Sequence, residues 1–249
     1  MGMLRQVPLI SEETYHIYNR GAGKQRIYTT SRDYERFMGL LYLANGEQPI
    51  IYRNLWEKHQ GPSLVEIFDL SKESVRTQRL VDVLAYALMP NHFHLVLKQK
   101  KDEGITKFMR KLATGYSMYF NTKYEHSGVL FQGRFKSSHI NSESYFRYIF
   151  SYVHLNPLDL VEPDWKGGII RNEKTARKFL ADYRYGSHFD YCVGERPERA
   201  ILAYDDAPDF LKEQNDIEEM LSDFSRNRIL HTDHDVDNPN KKKKTVLIP

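Results

Sequence analysis

The chain has 249 residues, 41% of them hydrophobic and 28% charged, with a formal net charge of +3 at pH 7. That is the composition of a globular protein long enough to bury a substantial core, and no apolar run approaches the ~18 residues a membrane helix needs. The one cysteine, Cys192, excludes an internal disulfide framework and any cysteine-cluster zinc site. With no apolar stretch between Met1 and Pro8 to direct secretion, the expected location is the cytoplasm, without a membrane partner.

Charge is unevenly placed. Residues 98–147 hold ten Lys/Arg against four Asp/Glu, whereas residues 198–240 hold four against twelve and lead into Lys241–Lys244. A basic body with an acidic arm suits a polyanion partner. Scattered solvated charge is the plain alternative.

In chain order, Thr14–Arg20 is rich in aromatic and β-branched residues and stops at Gly21, which predicts a strand. Ser31 reads as an N-cap, after which Tyr34, Phe37, Met38, Leu41 and Tyr42 recur at helical spacing up to Asn45-Gly46. Residues 46–80 suggest short helical pieces at 54–58, 64–70 and 74–80. Val81–Leu88 and His92–Lys98 read as strands broken by Met89-Pro90-Asn91, close enough to pair antiparallel. A helix over about 104–124 carries Phe108, Leu112, Tyr116, Tyr119 and Phe120 on one side. Val129–Ile140 reads as a strand or hairpin arm around Gly133. Ser142 caps a last helix, which Asn156-Pro157 ends because the residue before a proline leaves the α region. The order β-α-β-β-α-β-α predicts an α+β protein, helices packed on a central antiparallel sheet. Beyond about residue 195 a helical or irregular extension is expected.

Three constellations carry chemistry. In a strand, His92 and His94 project from one face while Phe93 goes to the other. Two co-facial imidazoles are a partial ligand set for a divalent ion, or two polar residues on a solvated face. Tyr148, Tyr152 and Asn156 follow at i, i+4 and i+8 and share a helix face. An asparagine oxygen can ligate a hard cation, and a phenol beside a polarised phosphodiester can attack it; the same spacing also serves plain core packing. Phe131, Arg134, Phe135 and Lys136, with Lys107, Arg110 and Lys111 nearby, interleave rings and cations as single-stranded nucleic acid binding does. A strand with one packed and one cationic face reads equally well.

Together, Tyr86–Leu97 with its Met-Pro-Asn-His-Phe-His string, Gly128–Lys136, and Tyr148–Pro157 with Tyr-x-x-x-Asn-Pro resemble the IS200-like, or REP-associated, tyrosine transposases. These are HUH single-strand endonucleases with one catalytic tyrosine (the Y1 class). The resemblance spans roughly residues 8 to 190 and extends to Tyr185-Gly186-Ser187-His188-Phe189 and Tyr191, while 46–80 looks longer than the family's usual connection. Composition alone predicts 193–230 as an acidic helical extension and 231–249 as a Lys-rich tail without fixed structure; the resemblance implies a ferredoxin-like α+β sandwich with residues 1–192 as the catalytic domain. It further implies that His92, His94 and Asn156 hold Mg2+ or Mn2+, and that Tyr152 is the nucleophile rather than Tyr148, whose i+4 residue is Tyr152 itself. The product implied is a covalent 5′-phosphotyrosine on single-stranded, hairpin-associated DNA, formed by a homodimer or a monomer. Arg134, Lys136, Lys107, Arg110, Lys111, Phe131 and Phe135 are the candidate DNA contacts. The alternatives are a replication-initiator or relaxase-type nickase of the same chemistry, and a domesticated nucleic-acid-binding module that has lost catalysis. A metal-dependent phosphohydrolase fits less well, because the motif strings place no Asp or Glu beside the histidines.

Overall fold

A computed structural model of the chain describes residues 8–47, 63–69, 79–213 and 217–231, with side chains of the last stretch described as far as residue 226. Strands β1 (Thr14–Arg20), β2 (Val81–Met89), β3 (His92–Gln99) and β4 (Lys136–Ile140) form one sheet in the order β2-β3-β1-β4, with neighbours antiparallel. Helix α1 (Ser31–Leu43) joins β1 to β2, α2 (Gly104–Tyr124) joins β3 to β4, and α3 (Glu143–Leu155) follows β4. This is the expected ferredoxin-like sandwich with a further helix. The chain continues through α4 (Glu173–Asp182), α5 (His188–Cys192), α6 (Asp209–Glu213) and α7 (Ile217–His231). Among the described residues no helix is long and apolar enough to cross a membrane.

The pleat sorts the two sheet faces residue by residue. Phe93 packs on Phe37 of α1, 5.2 Å between ring centroids, and Phe37 packs on Tyr116 of α2 at 5.0 Å. One residue on, His94 emerges from the other face and meets Tyr152 of α3 at 5.1 Å. Helices α1 and α2 therefore cover one face, and α3 covers the other.

Strand β2 is buried along its whole length although it ends the sheet. An uncovered edge would expose a row of backbone groups, and here later chain segments take them up. Leu88 N–H donates to Tyr185 O, Ser187 N–H to Tyr86 O and Ala203 N–H to Val83 O. A bulge between Val83 and Ala85 leaves Leu84 out of register, and the Tyr191 hydroxyl donates to its carbonyl at 2.7 Å. The same segments thus pair the edge and bury it.

Several boundaries differ from the sequence reading. The cap of α1 is Thr30, not Ser31. The strand expected over Val129–Ile140 shortens to Lys136–Ile140: Gly133 turns the chain at φ 79°, and Phe131 makes only an isolated bridge to Gly21. Asn156 stays in the right-handed helical region (φ −54°, ψ −37°), and the chain tightens into a 3-10 turn, Asn156–Leu160, instead of leaving the α region. Residues 64–69 are helical as expected. The pieces at 54–58 and most of 74–80, like the Lys-rich tail from 232 onward, lie outside the described residues.

Asp33 fastens α1 to α2. Its carboxylate accepts the backbone N–H groups of Thr29 and Thr30 (2.8 Å each), the hydroxyls of Tyr119 (2.9 Å) and Tyr124 (2.7 Å), and Lys123 Nζ (2.6 Å). Burial alone would push its pKa up; Lys123, Tyr124 and the two amides outweigh burial and hold it at about 2, against 3.8 for a free carboxyl. Because the folded value is the lower one, its stabilisation is complete above pH 3.8 and is lost as pH falls through about 2. Asp33→Asn should therefore cost about 2 kcal/mol at pH 7. The gap to the wild type in thermal or urea unfolding should close progressively between about pH 4 and pH 2; a constant gap would mean that the loss is steric and not electrostatic.

Candidate active site

The site forms where α3 lies across the sheet. Antiparallel register sets Tyr18 opposite His94 and Arg20 opposite His92, so these side chains share the α3 face with His16 of β1. On α3, Tyr152 is 2% exposed, and Asn156 just beyond the helix is fully buried, as is His94. The Tyr152 ring meets the His94 ring at 5.1 Å and the His16 ring at 6.1 Å, both edge to face.

Polar contacts order the imidazoles. His92 Nδ1 lies 2.7 Å from Asn91 Oδ1, and His92 Nε2 lies 3.2 Å from Asn156 Oδ1. Both facing atoms are amide oxygens, which only accept, so a neutral ring with one N–H serves one of them; the shorter contact assigns the proton to His92 Nδ1, donated to Asn91. In the neutral ring His92 Nε2 then presents a lone pair to another lone pair on Asn156 Oδ1. His94 Nδ1 lies 2.9 Å from His16 Nε2, while His94 Nε2 and Asn156 Nδ2 are buried without a hydrogen-bond partner among the described residues. Facing acceptors and an orphaned imidazole nitrogen suit a cation held by His92, His94 and Asn156. Among the described residues no cluster of three or more His, Cys, Asp and Glu could hold a metal; the third donor in this set is an amide. Burial first, and then the charges of His92, His16, Lys166 and Arg20, keep His94 neutral, well below the usual histidine range. A ligating imidazole must be neutral.

Residues from the later chain close the site. The Tyr152 ring lies 6.3 Å from Trp165 and 6.2 Å from Phe224 of α7, and Lys166 Nζ stands 5.4 Å from its centroid while pairing with Asp159 at 2.7 Å. Tyr148 lies one turn earlier, stacked on Phe224 at 5.3 Å and on Tyr145 at 6.2 Å. His154 is buried, with Nε2 at 2.7 Å from Ser187 Oγ.

The structure thus brings His92, His94, Tyr152 and Asn156 together and scatters the candidate DNA contacts. Phe131 is 7% exposed and packs on Phe93 and Tyr116, so it is a core residue and not a stacking platform, a correction to the sequence reading. Phe135 is half-buried against the core. Lys107 and Arg110 are exposed on α2, across the sheet from Tyr152, and Lys111 donates to Gly46 O. Arg134 and Lys136 are exposed, and Lys136 sits opposite Tyr18. Sequence reasoning missed His16, although the alternation His16-x-Tyr18-x-Arg20 already placed three polar or amphipathic side chains on one face of β1. Trp165, Lys166 and Phe224 lie in segments without any motif.

A histidine pair on one strand thus faces a tyrosine on the docked helix and an asparagine just beyond it, in an α+β fold. Residues 53–156, which contain all four side chains, match the family model described as Transposase IS200 like. The match covers less than half of the chain and takes in the His-Phe-His and Tyr-x-x-x-Asn-Pro strings, so this part of the chain is similar to that family. A solved structure described as a REP-associated tyrosine transposase bound to a REP hairpin aligns with 84% of this chain and 92% of its own, at 13% identity and a TM-score of 0.46. No curated protein matches the chain.

The His16–His94 contact has a measurable consequence. With the proton on His94 Nδ1, donated to His16, the His94 Nε2 lone pair is available to a cation; partners of this kind typically contribute 10–100-fold in metal affinity. His16→Phe should weaken Mn2+ binding by about that factor in isothermal titration calorimetry, with His16→Gln intermediate. Equal affinities in all three would assign the orientation of His94 to packing alone.

Proposed function

We propose that the protein is a metal-dependent single-stranded DNA endonuclease and strand transferase, with Tyr152 as nucleophile and hairpin-associated DNA as substrate. The observation that carries this is the convergence of the Tyr152 ring, 5.1 Å from His94, with the donor atoms of His92, His94 and Asn156. The family match over 53–156 supplies the DNA-transposing class.

His92 Nε2, His94 Nε2 and Asn156 Oδ1 would hold Mg2+ or Mn2+. When bound, the ion neutralises charge that builds on the scissile phosphate oxygens. Tyr152 Oη attacks phosphorus in line, the P–O3′ bond breaks, and the 5′-phosphate stays esterified to the phenol. One proton leaves Tyr152 Oη and one arrives at the departing 3′ oxygen, so neither water nor a net proton is consumed. The ester keeps the phosphodiester's bond energy, and a 3′-hydroxyl can reverse the step or join another strand without an external energy source. His16 and Asn91 keep the imidazoles oriented throughout. Trp165 and Phe224 flank the buried Tyr152 ring.

A hairpin oligonucleotide labelled at its 3′ end tests the reading, because a 5′-phosphotyrosine retains the 3′ fragment. In Mn2+ the label should run with the protein on a denaturing gel. Tyr152→Phe should abolish that band and leave hairpin affinity within about twofold, since the ring is kept. His94→Ala should lower adduct yield by about 100-fold or more. An adduct in Tyr152→Phe would move the nucleophile to another residue, Tyr148 first. An undiminished yield in excess EDTA would remove the metal, and binding without any adduct would favour the non-catalytic module.

A further inference from the structure

Where β2 turns into β3, Arg20, Lys24 and Arg26 line an open cavity of about 420 Å3 whose wall also includes Asn91, His92 and Asp159. Asp159, the carboxylate among the lining residues, is already engaged by Lys166 Nζ at 2.7 Å and by Trp165 Nε1 at 2.6 Å. The wall therefore carries a net positive charge. His92 belongs both to this wall and to the candidate centre, so whatever binds at the centre abuts the cavity.

The cationic loop is built into the site and does not merely hang near it. Gly21 N–H donates to Asn91 O at 2.8 Å, Asn91 Nδ2 to Lys24 O at 3.3 Å, and the N–H groups of Ile27 and Tyr28 to Pro90 O at 2.9 and 3.2 Å. Asn91 also receives the His92 Nδ1 proton. One asparagine thus couples the loop that carries Lys24 and Arg26 to the imidazole that faces Asn156. The loop needs glycine where it begins: a Cβ on Gly21 would stand 2.2 Å from Gln25 O.

We propose that this cavity is a phosphate subsite, which receives the backbone phosphates of the single strand next to the scissile bond. The assignment rests on the reading of the centre as one that cleaves single-stranded DNA. Dispersed cations in an open cavity suit a run of phosphates better than one small enclosed anion. The subsite also places the strand's path on the side of the sheet end that holds His92, whereas Lys107 and Arg110 stand on α2 across the sheet.

Salt dependence of binding is the test. Log affinity for single strands falls with log salt by about 0.7 for each phosphate contact. A fluorescein-labelled oligo(dT) of about 20 nucleotides exceeds a single-strand footprint, and its binding by fluorescence anisotropy over a salt series yields the slope. The double variant Lys24→Gln/Arg26→Gln alters two exposed side chains, so its melting temperature should match the wild type. Its slope should be shallower by about 1.4, and Lys24→Arg/Arg26→Lys should restore it. Lys174→Gln/Lys178→Gln, which removes two exposed charges on α4, should leave the slope unchanged. A wild type that forms the tyrosine adduct, together with an unaltered slope in the Lys24/Arg26 variant, would overturn the subsite and leave the catalytic reading standing. Absence of both adduct and binding in the wild type would overturn the catalytic reading and the subsite with it.

Discussion

The docking of α3 on the sheet is the constraint on which the rest depends. Most of that interface is apolar, yet two polar couples cross or flank it: His92 with Asn156, and His94 with His16. Buried polar groups are costly unless each meets a partner. A slide of α3 along the sheet would separate Asn156 from His92 while leaving aromatic packing loosely satisfied. The docked position that sets Asn156 Oδ1 3.2 Å from His92 Nε2 is also the one that brings Tyr152 beside His94. Packing of the helix and assembly of the centre are thus tied to one placement.

The order of elements and the pairing of the four motif residues were legible in the sequence because both follow from short periodicities. Alternation along His92-Phe93-His94 sorts two faces, and Tyr152 and Asn156 one turn apart share another. What was not legible came from contacts distant in sequence. Strand β2 is apolar apart from Asp82 and Tyr86 and buried along its length, yet it ends the sheet and owes its burial to Tyr185, Ser187 and Ala203 a hundred residues later. Phe131 reads as an exposed ring among cations, but Gly133 turns the chain so that the ring enters the core. Trp165 and Phe224 carry no local pattern that marks them as walls of a site. Asn156 resisted the usual effect of a following proline, with its amide oxygen 3.2 Å from the His92 imidazole.

The C-terminal half does more than extend the sandwich. Segments between Tyr183 and Ala203 supply the hydrogen bonds that complete β2, and α7 lays Phe224 over Tyr148 and Tyr152. Ion pairs such as Arg196 with Asp190, both largely buried, hold this wrapping to the body. The candidate centre is thus flanked by two chain regions, one that carries His92, His94, Tyr152 and Asn156 and one that carries Trp165 and Phe224.

The hairpin between β2 and β3 leaves only Pro90 and Asn91 outside the ladder, with Met89 opposite His92. Side chains alternate with a period of two, so one amino acid gained or lost in that connection, unless a wider turn or a bulge absorbs it, would invert β3. Phe93, Leu95 and Leu97 would then be driven against α3, and the imidazoles into the packing beneath α1. Insertions are ordinarily well tolerated at a hairpin tip; at this one, a change of length by a single codon would exchange reactive and structural faces in one step.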